Sequence, residues 1–419
     1  MLIVLVSLVY AGPALGGQGK AKIPVGEFHA RRLTEAPTID GKVEPGEWDE
    51  ALTVSGAITV FSHKLLQAET TWSFGFTDER FYFLADCTRG GREWRLRKTA
   101  RQNDAYSFGD SSVEIWVSPP KPVEETYQNI INTYPAVMDV KNIPSRGYSA
   151  MGWTGDWELG VEEKPDRYYI EASIRIDDFG IQEVENGDVW RFLLARTAPG
   201  TKPRAQASWG VTGGFAEIAG YPKVHLMNDT ALLQVYEVLP IFQGKLRFPM
   251  GVVGPAEHDD TVTVQVRVQK EVKPSDADRI LTKKIAIGKG KRKEFTLEGD
   301  VGDVENGFVT ISAHTRNGTE IYRHTLPFTV NNFVPRPPRK PDRAADIEPL
   351  ALKTMYGPEN NVVLVKADII DLEQRASVKT SEVKITDPET GKVLQKKSMP
   401  QFRNWYSNGV VFLHEDIDV

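Results

Sequence analysis

PTIDGKVEPGEWDEA, residues 37–51, sets an Asp-Gly pair, a Pro-Gly pair and a tryptophan flanked by Glu47 and Asp49 within fifteen positions. Glycine accepts positive φ without a steric penalty and proline presets φ, so both pairs read as turns. The stretch predicts a short strand at Pro37–Ile39, a turn at Asp40-Gly41, and a second turn that presents Trp48 as the cap of a β-sandwich core. Nothing in that geometry demands a reaction centre.

Working outward, short runs of strand character alternate with turns: ETTWSFGFTD, RFYFLADC, SSVEIWVSP, TYQNIINTY, YYIEASIRI, DVWRFLLARTA and YPKVHL. No amphipathic stretch of helical length interrupts them. The 35 glycines and 26 prolines spread between apolar runs point the same way, to an all-β chain. Trp190 and Trp209 stand in strand contexts and read as core, whereas MGWTGDWELG reads as a loop exposing Trp153 and Trp157, for either packing or stacking.

At 419 residues the chain is too long for one ordinary core, and about 150 residues per domain suggests roughly three. Residues 25–238 form the first block. A second, 239–333, contains TVTVQVRVQKEV, whose Val262, Val264, Val266 and Val268 share one face; its period and turn spacing predict an immunoglobulin-like β-sandwich. Proline density over 334–346 predicts an extended linker. Residues 347–419 resemble the second block in style but stop before such a fold would be complete, so a fragment of a longer protein is expected.

The opening MLIVLVSLVYAGPALGG is too short to span a bilayer and ends in small residues; residues 1–17 read as a signal peptide and predict export to the periplasm, cell envelope or medium. The lone Cys87, inside RFYFLADC, is expected as a small core residue. A formal charge of −6 and a pI near 5.8 offer no basic stripe for phosphate neutralisation, so nucleic acid is not expected as a partner. The seven histidines form no H-x-x-x-H or H-E-x-x-H pattern, there is no G-x-S-x-G, and no carboxylate pair stands in a recognisable glycosidase context. A binding module rather than an enzyme is expected.

The pieces IDG (39–41), EW (47–48), DSSVEIW (110–116), IIN (130–132), YYIEASI (168–174), WRFLLAR (190–196), SW (208–209) and GYPKVHL (220–226) occur in one order over about 200 residues. As an ensemble this series resembles the family 9 carbohydrate-binding modules and their DOMON-like relatives. The resemblance implies a distorted β-sandwich of jelly-roll type, non-catalytic sugar binding, and a place beside the catalytic domains of secreted glycoside hydrolases that serve carbohydrate catabolism.

A pyranose offers apolar C–H faces and a rim of hydroxyls, so its binder needs aromatic plates and paired hydrogen-bond groups. In the family two tryptophans sandwich the sugar end; the matching positions here offer Tyr106 and Phe108 before DSSVE, and Phe215 in GGFAEIAGY. Glu114 matches the family's carboxylate, and Asn132 lies in the matching I-N pair. Glu114 alternates with Val113 and Ile115, which leaves it either on a ligand-binding face or on a solvated one. Ile130 stands where the family has a basic residue and Ala195 where it has a polar amide, with Arg196 a candidate substitute.

Related modules carry structural calcium, and Asp86, Asp104 and Asp110, around a long loop, are the candidate oxygen ligands; no other cofactor is implied. Two other readings stand beside sugar binding. One is haem binding as in some DOMON-like domains, with Met138, Met151 and His225 as candidate ligands. The other is a purely structural envelope protein.

Overall fold

The computed structural model describes residues 23–60, 63–66, 70–88, 96–105, 107, 109–120, 125–143, 148–150, 152–164, 167–198, 205–210, 214–238 and 244–330, and then six short strands between 352 and 412. The leader 1–17, the linker 334–346, Tyr106, Phe108 and Met151 lie outside the described residues.

Two mixed sheets face each other. The first runs β18 (Arg279–Ile287), β17 (Asp260–Gln269), β20 (Asn306–His314), β21 (Glu320–Thr329), β1 (Glu27–Arg31), β14 (Lys223–Met227), β12 (Asp188–Ala198), β6 (Ser112–Ser118), β7 (Thr126–Asn132), β8 (Val137–Ile143) and β9 (Tyr148–Ala150). Off that path, β13 (Ala205–Ser208) pairs with β12, and β3 (Ile58–Thr59) pairs with β13. The second sheet runs β10 (Trp157–Glu163), β11 (Arg167–Arg175), β5 (Arg80–Thr88), β4 (Thr70–Phe76), β2 (Leu52–Val54), β15 (Leu232–Val235), β16 (Lys245–Val253) and β19 (Arg292–Asp300). Pairing is antiparallel except for β1 with β14 and β2 with β15. The architecture is an all-β, non-barrel one that resembles a distorted β-sandwich.

Alternation explains which side of each strand is buried. In β17, Val262, Val264, Val266 and Val268 are buried while the threonines, Gln265 and Arg267 between them are partly exposed. In β6, Val113, Ile115 and Val117 point into the interior with Phe192, Leu194 and Trp190 of β12. Trp190, Trp209 and Cys87 are core residues, and burial pushes the Cys87 thiol up to about 11.

Both sheets run through the expected boundary at residue 238. β21 pairs with β1 and β16 pairs with β15, so the second block extends the sheets of the first, and one hydrophobic cluster includes residues of both. Phe28 of β1 carries that joint, stacking on Trp209 at 5.0 Å and meeting Tyr322 of β21 edge-on at 4.9 Å. On the other face of β1, Glu27 accepts from Arg323 at 2.6 Å and pairs with His225 at 2.9 Å.

Residues 37–51 are a strap, not a hairpin. Pro37–Ile39 form no strand, because the backbone there is organised by side chains: Glu47 accepts from the Thr38 amide at 2.8 Å and the Glu44 amide at 3.2 Å, and Asp40 from the Lys42 amide at 2.8 Å. The strap lies on the outer face of the second sheet, where Trp48 packs with Leu33, Ala51, Tyr82 and Leu84. Its anchor is Glu171 of β11, fully buried, which accepts Trp48 Nε1 at 3.0 Å on one oxygen and the Gly41 amide at 2.8 Å on the other. Gly41 has φ of 89°, and a Cβ on Gly160 beneath it would fall 2.2 Å from the Gly41 nitrogen, so only two glycines allow this approach. IDG, EW and the glutamate of YYIEASI are thus parts of one contact.

Burial raises the Glu171 carboxyl from 4.5 to about 7, against the lowering effect of its two donors. The folded protein therefore holds a proton that the unfolded chain releases between pH 4.5 and 7, and stability falls as pH rises through that window. At about 1.4 kcal/mol per pH unit, Glu171→Gln is expected to remove about 3–4 kcal/mol of that pH dependence. Denaturant titrations of both proteins from pH 4.5 to 8 measure it; parallel curves would refute the assignment.

The last strands form a sheet of Leu352–Gly357, Val362–Asp368, Val410–Phe412 and Tyr406–Ser407, and a separate hairpin of Ser381–Thr386 with Val393–Met399.

Candidate functional site

Strand parity carries Glu114 to the outer face of the first sheet, but that face is not solvated there. Glu114 is 3% exposed and accepts Trp116 Nε1 at 3.0 Å and Gln128 Nε2 at 3.2 Å, with Thr197 Oγ1 at 3.5 Å. The register explains the grouping. Glu114 lies opposite Ile130 of β7 and Ala195 of β12, so same-face neighbours two residues away, Gln128 and Thr197, stand diagonally within reach.

Trp116 meets the ring of Tyr221 edge-on at 6.4 Å, and the Tyr221 hydroxyl donates to the Phe215 carbonyl at 2.5 Å. A continuous path of side chains therefore links Glu114 to the segment holding Phe215. Towards the β8 side the same face turns apolar, with Ile130, Met138 and Val140 forming their own small cluster. A buried polar cluster around one carboxylate thus borders an aliphatic patch. Trp116, Gln128, Thr197 and Tyr221 are contributors that sequence reasoning passed over; the spacing Glu114, Trp116 on one predicted strand was the available signal.

Arg196 does not join this face. One residue beyond Ala195, it points into the interior, where Nε donates to Tyr168 Oη at 3.1 Å, Nη1 to Thr70 Oγ1 at 3.3 Å, and the guanidinium lies 5.2 Å from the Tyr168 ring centroid. It bridges the two sheets, and the substitution for the family's amide is corrected on that ground. Trp153 and Trp157 are not exposed platforms either. Trp157 opens β10, and Trp153 packs 4.7 Å from Tyr127 and 6.1 Å from Phe179, both core residues. A Cβ on Gly155 would lie 3.0 Å from Trp157 Nε1 and 3.3 Å from the Trp153 ring, so the pair closes one end of the interior.

Asn132 and Asp110 act together on the loop below β6. Asp110 accepts the amides of Thr99 and Ala100, the Thr99 hydroxyl at 2.6 Å and Asn132 Nδ2 at 2.9 Å, and these donors hold its carboxyl below the usual range despite burial. Asn132 also donates to the Ala100 carbonyl at 2.7 Å and accepts from the Tyr134 amide at 3.0 Å. Its amide is fully used in holding the loop.

The three calcium candidates are not brought together. Asp110 is committed to that loop, Asp86 pairs with Arg167 at 2.9 Å, and Asp104 is exposed with a positive φ of 60°. Among the described residues, no group of three or more His, Cys, Asp or Glu side chains is arranged to hold a metal ion. Asp104 lies instead near Asp139, a buried carboxyl raised to about 6 by burial, which accepts the Gly155 amide at 2.8 Å. The haem candidates are also dispersed. Met138 and His225 stand on β8 and β14, four strand spacings apart in one sheet. That is about 19 Å along the sheet, too far for two axial ligands of one iron.

No protein-family model matches the chain, and no curated protein matches it. Among solved structures, a Bacteroides uniformis protein provisionally described as carbohydrate-binding is 14% identical with a TM-score of 0.39, over 48% of this chain and 99% of its own. A family 9 carbohydrate-binding module from Caldicellulosiruptor kristjanssonii, in complex with glucose, is 17% identical with a TM-score of 0.35, over 49% of this chain and 97% of its own. Likeness at this level assigns no ligand, residue role or family to this chain. The chain is a mixed-sheet, all-β protein with a buried, carboxylate-centred cluster on one sheet face. Among the described residues no helix is long and apolar enough to cross a membrane.

Proposed function

We propose that residues 25–238 form a non-catalytic carbohydrate-binding module, related to family 9 and DOMON-like modules and of jelly-roll type, in an exported protein that recognises polysaccharide beside a glycoside hydrolase activity. In this reading the immunoglobulin-like second block and the last strands serve as spacers. The motif series supports it, and one observation carries it: a glutamate withdrawn from solvent on the outer sheet face, ringed by an indole, an amide and a hydroxyl, beside an aliphatic patch. A sugar fits that chemistry. Its hydroxyls would donate to Glu114 and exchange with Gln128 and Thr197, while a C–H face would rest on the half-buried ring of Phe215.

The carboxylate matters because a charged acceptor makes the stronger hydrogen bond, worth about 1.5–3 kcal/mol. Glu114→Gln keeps the shape and removes the charge. A glycan array and insoluble-polysaccharide pull-down with the full chain are expected to find a ligand whose affinity falls at least about tenfold in Glu114→Gln, and also in Phe215→Ala. No ligand on a broad panel, or a ligand indifferent to Glu114, would overturn the proposal.

A further inference from the structure

Net charge conceals a local concentration. From Lys283 to Lys293 the chain reads KKIAIGKGKRK, six basic residues without an acidic one, in a protein of formal charge −6. The segment comprises the end of β18, a turn and the first residues of β19. β18 is the outermost strand of the first sheet and β19 of the second, so the turn crosses between sheets at the outer edge of both.

The turn's backbone is held in place. The Lys291 amide donates to the Gly288 carbonyl at 3.0 Å, the Gly254 amide to the Lys291 carbonyl at 2.8 Å, and the Lys289 amide to Asp259 Oδ1 at 2.9 Å. Two of the six cations are engaged: Arg292 pairs with Asp49 and Glu294, and Lys283 lies over the Phe295 ring and donates to the Thr296 carbonyl. Lys284, Lys289, Lys291 and Lys293 are exposed and make no ion pair among the described residues. Of the nearby acids, Glu294 pairs with Arg292, Glu298 with Arg247 and Asp300 with Arg279, while Asp259 accepts the Lys289 amide.

We infer that this edge is a docking surface for an acidic polysaccharide. At about 3.4 Å per strand residue the four lysines fall within a span on the order of 15 Å. Their fields overlap at a screening length of about 8 Å, which suits a polymer with repeated single charges. A bilayer fits less well, because the tip, Gly288-Lys289-Gly290-Lys291, carries no apolar side chain to enter the interface. Nucleic acid fits less well, because Arg292 is already paired and Phe295 lies under Lys283, leaving the segment neither a free guanidinium fork nor an open stacking ring. The surface is separate from Glu114, since β18 and β6 are seven strand spacings apart in the sheet order, about 34 Å along the sheet.

The test is binding of the full chain to immobilised polygalacturonate, with neutral dextran as control, over rising NaCl. The wild type is expected to be retained at low salt and released as salt rises. A Lys284→Gln/Lys289→Gln/Lys291→Gln/Lys293→Gln variant is expected to bind at least about tenfold more weakly with a flatter salt dependence, and the corresponding Lys→Arg variant to bind as wild type. Unchanged thermal unfolding shows that the variants are folded. No low-salt binding by the wild type, equal binding by the glutamine variant, or tighter binding to phosphatidylglycerol vesicles or duplex DNA would each overturn the inference.

Discussion

Trp48→Ala is expected to cost about 3–5 kcal/mol, the range for deleting a large buried aromatic, measured by guanidinium denaturation at pH 7. The indole is the centre of the cluster that closes the strap over the second sheet, and its Nε1 is one of two donors to the buried Glu171 carboxyl. Removing it empties the cluster and leaves Glu171 Oε1 without that donor. Trp48→Phe separates the two effects, because it keeps most of the apolar area and loses only the N–H; about 1–3 kcal/mol is expected. An alanine variant within about 1 kcal/mol of wild type would mean that the strap does not close the sheet.

Phe28→Ala is expected to be as severe, about 3–5 kcal/mol, and to change the form of the transition. Phe28 stacks on Trp209 with planes 4° apart and meets Tyr322 and His324 edge-on, so one ring ties the first block to the second. With the ring present, shared sheets and a shared core make the two blocks unfold together. Without it, β1 retains only short ladders, with β21 paired at two residues, Glu27 and Phe28. Two resolved transitions, followed by tryptophan fluorescence and calorimetry, are the expected result. A single transition shifted by less than about 1 kcal/mol would show that the joint lies elsewhere.

Much of the candidate site was legible and part was not. Glu114's face followed from its alternation with Val113 and Ile115, since side chains on a strand have a period of two. By the same rule Arg196, the neighbour of Ala195, belongs on the opposite face from Glu114, so parity alone was enough to separate the two. Burial was the illegible part. Glu114 reads equally as ligand-facing or solvated until its diagonal partners on β7 and β12 are known, and those are 14 and 83 positions away. The tryptophans of MGWTGDWELG misled for a related reason: the glycines and aspartates around them signal a loop, but Gly155 is there to let two indoles pack against the core.

The sequence by itself determined the all-β class, most strand positions, and the core roles of Trp190, Trp209 and Cys87. These rest on local patterning, which residues a few positions apart are enough to reveal. Only the tertiary structure decided that the sheets run unbroken through residue 238, that residues 37–51 are a strap anchored on Glu171, and that the basic run 283–293 lies at the outer edge of both sheets. Each depends on strands meeting across long separations, as when Arg323 reaches Glu27 across 296 positions, and strand order is set by the summed burial of whole faces rather than by any local signal.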